Sequence, residues 1–417
     1  MSFSCFKLHP HITASFHELG YATPTPIQAK AIPPVLAGQD VMGLAQTGTG
    51  KTAAFVLPIL DRLLRGTRGK LRSLIIAPTR ELAEQIHVAI EEMGRKTHLK
   101  SCTIYGGVGA NPQIQKLRGG VDIVVACPGR LLDHMAQKTI NLAGLEVLVL
   151  DEADRMFDMG FLPDIRRIIK QLPAQRQTLM FSATMADDIR RLAKEVLQNP
   201  VTVQIGHSAP VSSVAHALYP VEQHLKTSLL LELLKQTDAE SILIFTRTKY
   251  RAKRIGEQLA KAGYRAASLQ GNLSQNKRQD ALDGFRNGSY QVLVATDIAA
   301  RGIDVSNISH VINYDIPDTT DAYTHRIGRT GRAAKTGDAF TFVTRENEPL
   351  VRSIEGILGE KIERRFLKDF DYTKPAPVRD TEFARPPGEP GRHRSQPGKN
   401  VTAQQGDSAT RPKKRWG

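Results

Sequence analysis

The sequence predicts an α/β protein of two tandem domains, each on a parallel sheet, followed by a disordered basic tail. Short, unbroken Val/Ile/Leu runs alternate with helical patterns through most of the 417 residues. A strand buried on both faces reads as such a run, and strands of this kind alternating with helices imply a parallel sheet covered by helices. The alternation occurs twice, on either side of a small, polar stretch, "QIGHSAPVSSVA" (residues 204–215). At Thr373 the composition changes again, to seven prolines and five glycines in the remaining 45 residues.

In the first half, a short strand at Val41–Leu44 precedes a glycine-rich turn and a helical run. "SLIIAPTR" (73–80), "DIVVACPGR" (122–130), "EVLVLDEAD" (146–154) and "QTLMFSAT" (177–184) each read as a buried strand entering a polar loop. "SILIFTRT" (241–248), "YQVLVATDIAARG" (290–302) and "HVINYDIP" (310–317) repeat the design. These runs divide the chain into a first domain over 1–206, a linker over 207–216, a second domain over 217–372 and a tail over 373–417. The tail carries ten Lys/Arg and four Asp/Glu, a net +6. Such a segment buries too little apolar area to offset its chain entropy, so disorder is expected. In open parallel sheets, functional residues belong at the carboxyl ends of the strands.

The net charge of +15 points to phosphate-rich partners, because a basic surface releases counterions when it meets nucleic acid. Cys5, Cys102 and Cys127 are widely spaced, which argues against a disulfide framework or a zinc site. The opening "MSFSCFKLHP" lacks a basic-then-apolar leader pattern, and no apolar run approaches the ~18 residues of a membrane span. A cytoplasmic protein is expected.

Two local patterns carry chemistry. In "AQTGTGKT" (Ala45, Gln46, Thr47, Gly48, Thr49, Gly50, Lys51, Thr52), the glycines let the backbone wrap phosphate oxygens and the next helix offers its first amides. Lys51 would reach the outer phosphates of a nucleoside triphosphate and Thr52 would ligate Mg²⁺. Ala45 departs from the generic pattern, which has glycine there. Asp151, just past the strand in "EVLVLDEAD", is the second carboxylate that a Mg²⁺–triphosphate site needs, and Glu152 is placed to orient or deprotonate an attacking water. Capping of a helix is the alternative role for this acidic loop. Late in the chain, "HRIGRTGR" (325–332) sets Arg326, Arg329 and Arg332 at intervals of three, a cluster that calls for an anion.

"AQTGTGKT", "PTRELA" (78–83), "DEAD" (151–154), "SAT" (182–184), "ATDIAARGIDV" (295–305) and "HRIGRTGR" occur in the order and at the separations of the DEAD-box RNA helicases. The sequence resembles this family from about Phe3 to about Phe370. The short N-terminus and basic tail look most like the bacterial RhlE-like branch. The resemblance implies two RecA-like domains, ATP and Mg²⁺ as cofactors, and RNA, single-stranded or structured, as partner; it names no protein partner and no membrane role.

Residue by residue, "GYATPTPIQ" (20–28) resembles the adenine-reading Q motif (about 3–31), with Gln28 on the base edge and Phe3 stacked on the ring; a cap on the turn after Pro26 is the alternative for Gln28. Arg329 and Arg332 would be fingers reaching the γ-phosphate held by Lys51, and Asp304 would take the ribose hydroxyls. RNA contacts are implied for Pro78, Thr79, Arg80, Gly106, Gly107, Pro128, Gly129 and Arg130. In the second half they fall on Thr246, Arg247, Gln270, Gly271 and Thr296. Ser182 and Thr184 would couple nucleotide state to strand separation. Cys127 stands where the family usually has threonine. Only 6% of the chain is aromatic, so the phosphate backbone, not stacked bases, is the expected contact. The implied function is ATP-dependent RNA unwinding. An RNA clamp or annealing chaperone with a subordinate ATPase, or a DNA-directed motor, are the alternatives.

Overall fold

The computed structural model describes residues 2–46, 48–205, 214–237, 239–300, 308–330 and 337–376. The expected site residues Thr47, Asp304 and Arg332, linker residues 207–213 and the tail from 377 lie outside the described residues. Met1–Lys374 forms one compact unit, within which two seven-stranded parallel sheets carry the chain.

The first half runs α1 (Pro10–Glu18), α2 (Pro26–Leu36), β1 (Val41–Leu44), α3 (Lys51–Leu64), β2 (Ser73–Ile76), α4 (Arg80–Gly94), β3 (Ser101–Ile104), α5 (Ala110–Arg118) and β4 (Ile123–Ala126). It continues through α6 (Pro128–Ala136), β5 (Val147–Leu150), α7 (Ala153–Asp158), α8 (Leu162–Ile169), β6 (Gln177–Ser182), α9 (Asp187–Val196) and β7 (Val201–Gln204). The second half runs β8 (Val214–Pro220), α10 (Lys226–Gln236), β9 (Ile242–Thr246), α11 (Lys249–Lys261), β10 (Ala266–Leu269), α12 (Gln275–Arg286) and β11 (Val292–Thr296). It ends with α13 (Asp297–Ala300), β12 (His310–Asn313), α14 (Thr320–Ile327), β13 (Gly337–Val343), α15 (Glu348–Leu358) and β14 (Glu363–Arg364). The strand orders are β3-β4-β2-β5-β6-β1-β7 and β10-β11-β9-β12-β13-β8-β14.

Both sheets are buried on both faces, which explains the unbroken apolar runs. Along β5, Val147 and Val149 enter one core while Leu148 and Leu150 enter the other. In the second sheet, Ile242 and Ile244 of β9 face one core, and Leu243 and Phe245 the opposite one. Strand β8 corrects the expected linker. Val214–His216 pair in parallel register with Gly337–Ala339 of β13, and Val214 is buried. The mixed small and polar composition of "VAHALYP" hides a strand whose role is to extend the sheet.

Buried carboxylates tie the loose ends of the first sheet. Asp40 accepts from the Thr178 N–H at 2.7 Å and from the Gln198 N–H at 2.7 Å. Asp122 does the same for Gly69 and Lys100, at 2.7 and 2.8 Å. Asp40→Ala would orphan two backbone donors. It should destabilise the first half by about 2–3 kcal/mol, read as a lower urea midpoint with an unchanged slope.

Candidate nucleotide cleft and nucleic-acid interface

Every strand of a parallel sheet ends at the same edge, and the site is assembled there. After β1 the chain turns through Gly48 and Gly50, at φ of 82° and 92°, left-handed values that a side chain disfavours. Gly50 is required twice over, since a Cβ there would lie 2.5 Å from the Gln28 amide nitrogen. Helix α3 then starts at Lys51, whose buried ammonium donates to the Ala45 carbonyl at 2.8 Å. Among the described residues of this turn, Lys51 is thus folded back over the loop that would carry phosphate.

Gln28 is buried and uses its amide at both ends. Its Oε1 accepts from the Thr25 N–H at 2.9 Å, capping α2, and its Nε2 donates to the Gly50 carbonyl at 3.1 Å. The capping role therefore holds, and the same side chain braces the phosphate-type loop. Phe3 is buried as well. Its ring is 3% exposed, edge-on to Phe6 at 5.8 Å and to Tyr21 at 6.1 Å, within the core of the first half. With no open face, it packs as core, because an aromatic ring gains more from full burial than from half-exposure.

Asp151 and Glu152 lie past β5. Burial pushes the Asp151 carboxyl up to about 6, against the pull of Lys51. With the half-buried Thr52 hydroxyl, the Asp151 carboxyl offers oxygen donors of the kind that Mg²⁺ prefers. Glu152 sits in the left-handed region at φ 50°. Burial pushes its carboxyl up, but Arg155, Lys51 and Arg329 outweigh it and hold it below the ordinary range. Arg155 is ion-paired with it.

Arg329 belongs to the second half, immediately after α14, yet it acts on Glu152 of the first. Both line a cavity of about 550 Å³ with Lys51, Arg155, Arg326 and Phe157. The two described arginines of "HRIGRTGR", Arg326 and Arg329, are not equivalent. Arg326 pairs both its Nε and Nη2 with Asp297 at 2.6 Å, donates to the Asp315 carbonyl and the Asn313 side chain, and lies 4.9 Å from the Phe245 ring centroid. It locks the second sheet's strand ends, leaving Arg329 to the cleft.

Ser182 and Thr184 meet a residue that sequence reasoning did not assign. Asp154 Oδ2 accepts from the backbone N–H of Ala183 and of Thr184, each at 3.0 Å, and from the Thr184 hydroxyl at 3.3 Å. The Ser182 hydroxyl accepts from the Asp154 N–H at 3.3 Å and donates to the Thr184 carbonyl at 2.8 Å. The loop after β6 is thereby fixed to the acidic loop after β5.

The expected nucleic-acid residues divide by exposure. Pro78, Thr79, Pro128, Thr246, Gln270 and Thr296 are buried and shape loops. Thr79 caps α4 through the Leu82 N–H, the Thr246 hydroxyl donates to Thr248, and Gln270 accepts from the Asn272 N–H. Gly107, Gly129, Arg247 and Gly271 are exposed, with Gly106, Arg80 and Arg130 half-buried. Gly107, at φ 79°, leaves room for the Arg80 guanidinium, into which a Cβ would run. Helices α6, α11 and α12 open with no acidic residue in the first turn and place Arg130, Lys249 and Arg251, and Lys277 and Arg278 there. Cations at the positive end of a helix dipole are unfavourable unless an anion faces them.

Two contacts join the halves beside this surface. Arg80 donates to Gln275 at 3.3 Å, and Arg278 pairs with Glu81 at 2.6–2.8 Å with both side chains largely buried. No local pattern signals them, because the partners lie nearly two hundred residues apart.

The family profile of the DEAD/DEAH box helicases matches residues 25–192, and that of the helicase conserved C-terminal domain matches residues 225–334. The DEAD-box ATP-dependent RNA helicase CshA of Bacillus licheniformis is 42% identical over 87% of this chain and 75% of its own length. The chain belongs to the DEAD-box helicase family. The DEAD-box helicase RhpA of Helicobacter pylori is 42% identical over 82% of this chain and 70% of its own. Among solved structures, S. cerevisiae Dbp5 bound to RNA and ADP BeF3 superposes with a TM-score of 0.79 at 32% identity, covering 87% of the helicase and 95% of Dbp5. A DEAD box protein of Methanococcus jannaschii gives 0.52 at 34% identity, covering 88% and 99%.

Two outcomes follow from the contacts between the halves and the burial of the thiols. Glu81→Ala and Arg278→Ala should each open the cleft, costing closure about 3 kcal/mol, while the double variant loses much less than the sum; a distance-sensitive dye pair across the halves reads both. Burial pushes the Cys127 thiol up to about 12 and the Cys102 thiol up to about 11, so both stay protonated, and inert, until the pH rises toward those values. At pH 8 a thiol-alkylating reagent should label the exposed Cys5 in the native chain, and the other two only after denaturation.

Proposed function

We propose that the helicase binds the RNA backbone across the strand ends of both sheets, bends one strand as the cleft closes over ATP, and reopens after hydrolysis. The observation that carries this reading is Arg329, which belongs to the second half and lines the same cavity as Lys51 and Glu152 of the first. A nucleotide in the first half's loop would meet its charge-neutralising group only with the cleft closed, which makes turnover conditional on closure.

Lys51 would leave the Ala45 carbonyl to hold the outer phosphates. Glu152, kept ionised by Arg155 and Lys51, would orient the attacking water and accept its proton. Asp151 and Thr52 would hold Mg²⁺, which when bound neutralises charge on the phosphate oxygens. Asp154 would carry the nucleotide state to Ser182 and Thr184 through the loop it clamps. Thr47 beside the phosphate loop, Asp304 on the ribose and Arg332 as a second finger complete the reading from the motifs. Gly107, Gly129 and Gly271 would bring backbone amides close to phosphates, with Arg80, Arg130 and Arg247 beside them.

The basic composition of 373–417 supports placement in the RhlE-like branch, and three thiols without a disulfide support a cytoplasmic setting. No helix among the described residues is long and apolar enough to cross a membrane.

Two substitutions test the mechanism. Glu152→Gln should keep ATP and RNA binding and accumulate as a ternary complex with turnover abolished. Arg329→Ala should slow RNA-stimulated hydrolysis by about 10³-fold. Parental turnover in either variant, measured by phosphate release at saturating single-stranded RNA, would overturn the role of that residue.

A further inference from the structure

The low aromatic content argues against base stacking, yet one aromatic stands at the RNA face. Tyr250 is 59% exposed, on the first turn of α11, directly after the strand end that carries Thr246 and Arg247. The Lys249 ammonium lies 5.2 Å from the centroid of its ring and donates to Asn272 at 3.0 Å. Asn272 in turn is held to Gln270, so the lysine is anchored to the second RNA loop of this half. The cation occupies one side of the ring, and the remaining exposure is that of an aromatic face beside phosphate-binding groups.

The surroundings favour one occupant. Lys249 opens a helix with no acid in its first turn, while Arg251 is paired with the buried Asp315 at 2.6 Å and Lys253 lies 3.8 Å from Glu257. An apolar protein partner gains little from a ring capped by the Lys249 ammonium, whereas a nucleotide satisfies both features, phosphate on Lys249 and base on the ring.

We propose that Tyr250, oriented by Lys249, is a stacking platform for one unpaired base of the bound RNA. This rests on the RNA-helicase reading and extends it from backbone grip to base contact. Stacking of this kind tolerates any base, because every base has a π-face, so it adds affinity for unpaired over paired nucleotides without reading sequence. A base in a duplex has its faces covered by neighbours, and Tyr250 therefore holds the strand in its opened form.

The test compares full-length protein with Tyr250→Ala and Tyr250→Phe, in the presence of ADP and beryllium fluoride. The probes are an oligoadenylate and a fully abasic oligoribonucleotide of equal length. Tyr250→Ala should weaken oligoadenylate binding about tenfold with an unchanged salt slope, and Tyr250→Phe should bind as the parent does. On the abasic strand the three proteins should bind alike. Parental affinity in Tyr250→Ala sinks the proposal. So does a defect that persists on the abasic strand, which would give Tyr250 a backbone or protein-docking role. If the parental protein binds neither strand, the RNA-helicase reading falls and this proposal with it; a failure confined to Tyr250 leaves that reading intact.

Discussion

Parallel pairing is the constraint from which the rest follows. Because all strands of each sheet run the same way, their carboxyl ends, and the amino ends of the helices that follow, emerge along one edge. Lys51, Asp151, Ser182 and Arg80 follow four different strands, yet share that edge without any of them being adjacent in sequence. The second sheet repeats the arrangement with Arg247, Gln270 and Thr296. Two such edges facing each other make a cleft with backbone donors and cations on both sides.

Much of this was legible in the sequence, for a physical reason. Strands β2, β4, β5, β6, β9 and β11 lie inside their sheets, are covered on both faces and so appear as uninterrupted apolar runs. Strands β3 and β10 stand at sheet edges, and β10 is only partly buried, so "SCTI" and "AASL" carry no comparable run. The phosphate loop and the acidic pair were legible because their chemistry is packed into contiguous residues. The ties between Glu81 and Arg278, and between Asp297 and Arg326, are not contiguous, and their members look like ordinary surface charges until the fold buries them. Phe3, which the resemblance implies for base stacking, is buried against Phe6 and Tyr21, packing that no pattern in the sequence signals.

Charge in this protein is arranged in layers. Arg326 is ion-paired with Asp297 and hydrogen-bonded to Asn313, which gives the second half a rigid wall. Lys226 and Arg251 share the Asp315 carboxylate behind the Arg247 loop, where Asp315 also accepts from the Arg247 N–H at 2.8 Å. Of the cations on the first turns of α11 and α12, Arg251 and Arg278 are paired with Asp315 and Glu81, and Lys249 and Lys277 stand beside them without an acidic partner in that turn. The cations of the described residues thus divide into buried ones that shape the loops and surface ones available to phosphate.

The bonds of Gln28 also bear on which purine the loop accepts. A carboxamide has two N–H donors and two acceptor lone pairs, and Gln28 commits one of each, to Gly50 and to Thr25. Rotating the amide by half a turn would set N–H against N–H and oxygen against oxygen, so its orientation is fixed before any nucleotide arrives. With Gln28 on the base edge, the spare donor and acceptor match adenine, which offers an N–H₂ group beside a ring nitrogen. Guanine offers two acceptors at the same edge and would leave one buried lone pair opposed by another. On the base-edge role that the resemblance implies for Gln28, the turn that caps a helix would act as a one-bit memory, with the choice between two purines written into a pair of backbone bonds.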